Sequence, residues 1–323
     1  MKMRPTFISA FADEMNQYLD DRIAAGFKEE SYSFRLKAFD RFCADTGNGS
    51  KTFSNLQAAK WMERKSSEAT TTHYSRVNSV KQFLQYLQLK GYDVVVVRDV
   101  RFRPTEFQPY IYSDDEVARY FAAVDSYSSP KNRKDAIQYP ILFRILYCCG
   151  SRITETLYIR KKDVDLEAGI IRLNETKNGQ ERYIVLGKDL NYLMKQFADK
   201  CFYLLSEDDY IFTNARGKRL DDTTVYEKHR SFLKEAGIAY RGNGEGPRIH
   251  DWRHHMAVKS FKRLSDAGMD LYVALPILSA YLGHKTIYAT EHYVRLTMQI
   301  YPSIEKKFSP IVDRIFGGAH END

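Results

Sequence analysis

The chain has 323 residues, enough for two domains, because single cores usually stop growing near ~250–300 residues. Hydrophobic residues make up 43% and aromatics 14%, which excludes a disordered polymer and permits real cores. Lys and Arg number 49 against 42 Asp and Glu, a net charge of +7 with a pI near 9.0, so an anionic partner is favoured, nucleic acid before a membrane surface.

The first hundred residues read as helices only. "FADEMNQYLDDRIAAG" carries apolar residues at helical spacing and stops at Gly26, and "EESYSFRLKAFDRFCADTG" stops at Gly47. Ser54 opens "SNLQAAKWMERK", where Gln57 completes a capping box. "TTTHYSRVNSVKQFLQYLQLKG" places Val77, Val80, Phe83, Leu84 and Leu87 on one face and ends at Gly91. Its other face offers Arg76, Lys81 and Lys90. Residues 1–100 are thus expected to form a four-helix module with a basic surface. The charge agrees, since residues 1–105 hold 17 Lys and Arg against 12 Asp and Glu.

Residues 92–112, "YDVVVVRDVRFRPTEFQPYIY", break the helical pattern. The four valines suggest a strand, but Pro104 and Pro109 with three arginines favour an extended linker, placed at 101–112. "SDDEVARYF" then opens a second domain with a capping box from Ser113 to Glu116. "DAIQYPILFRILYCCG" reads as a buried helix ended by Gly150, and "SRITETLYI" begins another at once. "IIRLNETK" and "ERYIVLG" are β-rich runs flanking Asn178–Gly179, the dipeptide of tight hairpin turns. "TTVYEKHRSFLKEAG", "HDWRHHMAVKSFKRL" and "PILSAYLGH" return to helix. The fold class expected is mainly α with a small antiparallel β-sheet.

None of Cys43, Cys148, Cys149 and Cys201 forms a C-x-x-C pair, and the 148–149 pair falls in the apolar run. Reduced structural thiols in a cytoplasmic protein are expected, with neither a disulfide frame nor a zinc knuckle. "FISAFA" is too short for a secretory leader, and no apolar stretch reaches the ~18–20 residues of a membrane span.

Seven chemical residues follow in order: Arg152 and Glu155 in "GSRITE", Lys177 at the hairpin turn, His250 and Arg253 in "HDWR", His284 in "LGH", and Tyr293 in "TEHYVRL". These are cations and proton-transfer groups preceding one tyrosine. Cleaving a phosphodiester without a metal calls for that inventory. Two arginines can fork onto non-bridging phosphate oxygens, a phenol can attack phosphorus, and a lysine can protonate the leaving oxygen.

In these motifs the chain resembles the tyrosine recombinases of the phage-integrase, Xer and Cre group. That family's order is an arginine in a G-x-R-x-x-E turn, a lysine on a β-hairpin, H-x-x-R, L-G-H, and a tyrosine nine residues after that histidine, the spacing from His284 to Tyr293. The motifs span roughly residues 113–300, while the N-terminal module matches in architecture only. The resemblance implies a helical, SAM-like core-DNA-binding domain over 1–100, a linker over 101–112, an α/β catalytic domain over 113–300 and a tail over 301–323. It implies that Tyr293 is the nucleophile, making a 3′-phosphotyrosyl bond, and that Arg152 and Arg253 clamp the phosphate. His284 would donate a further hydrogen bond, His250 would act as general base, Lys177 as general acid, and Glu155 would fix Arg152. Neither metal nor ATP is implied. The expected partner is double-stranded DNA with short inverted-repeat core sites, bound by a homotetramer or by a tetramer shared with a second recombinase. A mobile element, whether phage or transposon, and a chromosome-maintenance system are both compatible hosts. Two features depart from the pattern: Trp252 stands where leucine is usual, and 237–249 is glycine-rich.

Plainer readings stand beside each residue. Tyrosines number 23, and Tyr281 and Tyr288 rival Tyr293 apart from the spacing. Arg152 reads equally as a first-turn surface arginine, although a cation suits a helix N-terminus poorly without an anion near. Lys177 is ordinarily a solvated hairpin residue, with Lys188 and Lys218 as other candidates. His250, His254 and His284 suggest zinc, but the acidic or cysteine ligand is missing, since Asp251 falls on the wrong helical face. His254 and His255 read as packing or surface groups. Two other activities share the motifs: a non-catalytic DNA-binding regulator and a type IB topoisomerase. In the tail, Ile304, Phe308, Ile311, Val312 and Ile315 form an amphipathic segment, expected to dock on a neighbouring protomer.

Overall fold

Local signals set most helix boundaries. In the computed structural model, which describes residues 4–27, 29–47, 49–100, 108–129, 132–174, 181–240, 242, 246–284 and 286–301, the chain divides into two compact units, Met1–Phe107 and Gln108–Asp323. Lys177 with its Asn178–Gly179 turn, most of the expected linker and the amphipathic tail lie outside the described residues.

The first unit contains α1 (Ala12–Ala24), α2 (Glu29–Thr46), α3 (Asn55–Met62) and α4 (Thr70–Leu89). At α3 the expected capping box forms: the Gln57 amide donates to Ser54 Oγ at 3.3 Å and the Ser54 amide to Gln57 Oε1 at 2.8 Å. Helices α1, α2 and α4 pack on one another around Met15, Leu19, Leu36, Phe39, Val80, Phe83 and Leu87. The valine run joins this core, since Val94 bridges Phe53 and both Val94 and Val97 are buried. The basic face expected on α4 is largely neutralised at short range. Arg76 donates to both Glu68 oxygens at 2.8 and 2.9 Å, Lys81 meets Asp99 at 2.5 Å, and Lys90 lies over the Tyr86 ring.

In the second unit, α5 (Asp114–Asp125) starts at the expected Ser113–Glu116 capping box and is followed by α6 (Asp135–Cys149) and the short α7 (Ile153–Leu157). Strands β1 (Val164–Asp165), β2 (Ile170–Leu173) and β3 (Arg182–Val185) make one antiparallel sheet in the order β1-β2-β3, with Ile171 opposite Ile184 and Leu173 opposite Arg182. Helices α8 (Lys188–Cys201), α9 (Asp222–Glu235), α10 (Asp251–Asp266), α11 (Leu271–Leu282) and α12 (Tyr288–Ile300) complete it. This is the mainly helical fold with a small sheet that the sequence announced. One local expectation fails: Cys149 is buried but Cys148 is exposed, because a helix turns successive residues about 100° apart. All four thiols are free.

Trp252 is fully buried and stacks on Tyr112 at a centroid distance of 3.8 Å, so the departure at this position is absorbed by an aromatic partner. His255, beside it, is also fully buried, and among the described residues neither ring nitrogen has a hydrogen-bond partner. Burial, with Lys259 and Arg263 nearby, pushes His255 down to about 4, and burial pushes His229 down to about 3. Both rings are therefore neutral when folded and take up protons on unfolding. Stability is then fully present above about pH 6.5, the unfolded value, and falls with pH below it, by about 2 kcal/mol for each ring at pH 5. Guanidinium midpoints measured at pH 8 and pH 5 should show this loss, and His255→Phe should shrink it. An equal loss in the variant would assign the acid sensitivity elsewhere.

Candidate active site

Helix ends converge to build the site. Helix α6 stops at Gly150, whose φ of +62° is left-handed, and a Cβ there would collide with Met256 Cε of α10. The freed Gly150 carbonyl accepts Arg253 Nη1 at 2.7 Å. Helix α11 ends likewise at Gly283, φ +67°, and the Leu282 carbonyl accepts Arg253 Nη2 at 2.5 Å. Two helix C-termini, each carrying partial negative charge, thus hold one guanidinium that is 1% exposed. Burial first and the charge of Arg152 second push this arginine down to about 10.

His284 follows Gly283 at once. Its Nε2 lies 3.1 Å from Arg253 Nη2 and its Nδ1 is 2.6 Å from Thr290 Oγ1, a fully buried hydroxyl. Burial, then Arg253 and Arg152, push the imidazole down to about 4, so it is neutral at pH 7. Its ring lies parallel to that of Tyr293, centroids 6.1 Å apart and planes within 10°. Tyr293 is on the buried face of α12, 3% exposed. Burial raises its phenol, and the charges of Arg253 and Arg152 oppose that rise.

Arg152 caps α7. Its amide donates to Glu155 Oε2 at 2.8 Å and its Nη1 to Glu155 Oε1 at 2.6 Å. The anion that a cation needs at this helix start is therefore Glu155 itself. Glu155 serves a second cation as well, for Arg182 donates Nη1 to Oε1 at 2.9 Å and Nη2 to Oε2 at 2.6 Å. Burial alone would raise this carboxyl, but Arg182, ahead of Arg152, holds it down to about 2. Two guanidiniums thus share one carboxylate, and with Arg253 nearby the group of four carries a surplus of two positive charges.

The other expected residues are placed unevenly. His250 caps α10 and is exposed, held below the ordinary imidazole value by its crowded surroundings and then by Arg253, Arg152 and Arg248. Its carbonyl accepts the Arg253 amide at 3.1 Å in the first turn of α10. His254, set aside as a packing or surface group, is packed between functional rings, its centroid 4.8 Å from His250 and 5.4 Å from Tyr293. Glu155, Arg152, Arg253, His284 and Tyr293 gather in one place, and Lys177 belongs to the segment joining β2 to β3. Sequence reasoning missed Arg182, Thr290 and the position of His254. Arg182 alone left a trace, as a charge in phase with the inward-facing Ile184 of a strand.

A surplus of positive charge at buried helix ends suits a phosphodiester, whose charge grows in a pentavalent transition state. Among the described residues no group of three or more His, Cys, Asp and Glu side chains is arranged to hold a metal.

Comparison with known proteins points the same way. The phage integrase family profile matches residues 113–299. A putative integrase/recombinase, y4rB of Sinorhizobium fredii, is 27% identical over 297 residues, 89% of this chain and 93% of that protein. The tyrosine recombinase XerD of Listeria innocua is 26% identical over 242 residues, 72% of this chain and 74% of its own. In fold, the chain is similar to a lambda integrase tetramer bound to a Holliday junction, with a TM-score of 0.62 at 18% identity over 90% of this chain and 78% of the other. It is similar to the same degree, 0.62 at 16% identity, to the XerH site-specific recombinase bound to a palindromic difH substrate, over 82% of this chain and 75% of the other. With more than half its length matched by the family profile, the chain belongs to the phage integrase family of tyrosine recombinases.

Proposed function

We propose that the chain is a site-specific DNA recombinase that cuts and rejoins strands through a 3′-phosphotyrosyl intermediate. Tyr293 Oη attacks the scissile phosphorus, the P–O5′ bond breaks, and the tyrosine is left esterified to the 3′ side. The phenol proton passes to His250, which is neutral at pH 7 and so able to accept it. Lys177 protonates the departing 5′-oxygen. Arg152 and Arg253 hold the non-bridging oxygens, and His284 adds a hydrogen bond. Return attack by a 5′-hydroxyl from a second duplex reverses the step and exchanges strands, and since bond count is conserved, no ATP is consumed.

The observation that carries this reading is the Arg253–His284–Tyr293 arrangement beside two further guanidiniums that share one carboxylate. Such a site is unfavourable while empty and is relieved by an anion. The test uses nicked duplexes tiled across the DNA flanking the chain's own gene, incubated in EDTA. A covalent protein–DNA adduct is the expected result. A gel shift without adduct would assign a regulator, relaxation of supercoils without exchange a type IB topoisomerase, and loss of cleavage in EDTA a metal nuclease.

Recombination needs two duplexes together, so we place the active form in a tetramer on inverted-repeat core sites, acting in the cytoplasm. Helix α11 supports an assembly role by exposing Tyr272, Val273, Pro276, Ile277 and Ala280, a contiguous apolar stripe. The amphipathic segment from Ile304 to Ile315 is the proposed occupant, supplied by a neighbouring protomer. Deleting residues 303–323 is expected to abolish synapsis in a native-gel assay while binding to a single half-site is retained. Unchanged synapsis would remove the tail from assembly.

A further inference from the structure

Arg182 was chosen by no motif, yet it touches two parts of the site. It begins β3, directly after the segment that carries Lys177, and its guanidinium forks onto Glu155 with bonds of 2.9 and 2.6 Å. Glu155 returns its two oxygens to the amide and the guanidinium of Arg152. On its other side Arg182 abuts the turn before His284, since a Cβ built on Gly283 would lie 3.1 Å from Arg182 Cδ and 3.2 Å from its Nη1. One side chain thus touches the α7 start, the α11 end and the sheet.

Geometry limits what this contact can do. Arg152 holds Glu155 from one side only, through its amide and one guanidinium nitrogen, so Arg182 supplies the second direction of restraint. With Arg182 present both carboxylate oxygens are engaged from two directions, and the plane of Glu155 is fixed. A fixed carboxylate restrains Arg152, whose side chain is 17% exposed and keeps further donors for a ligand. Lysine, a point charge without a fork, cannot hold both oxygens at once.

We propose that Arg182 is a positioning residue of the phosphate clamp: through Glu155 it aims Arg152, and through Gly283 it fixes the turn that presents His284. The proposal rests on the recombinase reading of the site. It also assigns β3 a role distinct from that of the hairpin lysine, since Arg182 acts on the non-bridging oxygens and Lys177 on the leaving oxygen.

Three scissile groups separate the possibilities, each in the nicked duplex that gives an adduct with the wild-type chain. On an ordinary phosphate, Arg182→Gln and Arg182→Lys should each slow adduct formation about 10²-fold, the usual scale for losing one transition-state donor. On a methylphosphonate, which lacks one negative oxygen, the deficit should shrink to under about 10-fold, because the charge that the clamp neutralises is gone. On a 5′-bridging phosphorothiolate, whose thiolate leaves without a proton, the deficit should persist. Melting curves and half-site gel shifts should match the wild type, and Glu155→Gln added to Arg182→Gln should cost little further rate, as expected for residues acting as a unit.

The proposal is overturned by a variant that cleaves at the wild-type rate, by equal deficits on phosphate and methylphosphonate, or by rescue with the thiolate leaving group, which would tie Arg182 to Lys177. It also falls if the two losses multiply. Absence of adduct with the wild-type chain itself would instead remove the recombinase reading and with it the reaction Arg182 serves.

Discussion

Replacing Tyr293 with phenylalanine is expected to eliminate covalent capture of nicked DNA, a loss of at least about 10⁴-fold, while DNA affinity stays within about 3-fold. The substitution removes one oxygen from a ring that is otherwise kept in place. Tyr293 is 3% exposed and lies against the rings of His254 and His284, contacts that phenylalanine can reproduce. Unfolding stability should therefore move by no more than about 1 kcal/mol. Because burial raises the phenol, the proposed nucleophile is protonated at neutral pH, and on this reading it needs both a base and the flanking arginines to react. The rival tyrosines provide the control. Tyr288 is 82% exposed, and Tyr288→Phe should form adduct at the wild-type rate. Adduct from Tyr293→Phe, mapped to another tyrosine, would displace Tyr293 as nucleophile.

What could be read from the sequence follows from how far each signal reaches. Capping boxes at Ser54 and Ser113 are complete within four residues, so they were legible and formed as expected. The fold class was legible for the same reason, through helical periodicity and a hairpin dipeptide. Arg152, Glu155, Arg253, His284 and Tyr293 were picked out by order and spacing, and their convergence depends on two helix ends, both marked by glycine. Long-range pairing was invisible. Arg182 is 27 residues from Glu155, and nothing local marks a strand arginine as the partner of a buried carboxylate. Arg76 looked like a free cation on a helix face until Glu68 met it. Val94 read as linker because its partner, Phe53, lies on the far side of two helices in sequence. His254 was set aside as a packing or surface group, whereas its contact with Tyr293 depends on where α12 packs.

Arg253 should separate activity from stability more sharply than any other residue. Its guanidinium is 1% exposed and donates to the Gly150 and Leu282 carbonyls at 2.7 and 2.5 Å. Losing two charge-assisted bonds costs about 1.5–3 kcal/mol each. Against that stands the cost of keeping the cation there. Burial and then Arg152 push it down to about 10 from 12.5, equivalent to about 3 kcal/mol of unfavourable interaction in the folded chain. These opposing effects largely offset one another, so Arg253→Met should change the guanidinium midpoint by the equivalent of no more than about 3 kcal/mol, as when a buried ion is exchanged for an apolar residue of similar length. Adduct formation should nonetheless fall by at least about 10³-fold, because a donor aimed at developing charge is lost from a water-poor site. Arg253→Lys keeps the charge but not the fork and should fall in between, near 10²-fold. Added sulfate should raise the melting temperature of the wild type more than that of Arg253→Met, since the wild type has two surplus charges to offset and the variant one. A large stability loss together with unimpaired cleavage would make Arg253 a structural strut between two helix ends, with the phosphate held by other groups.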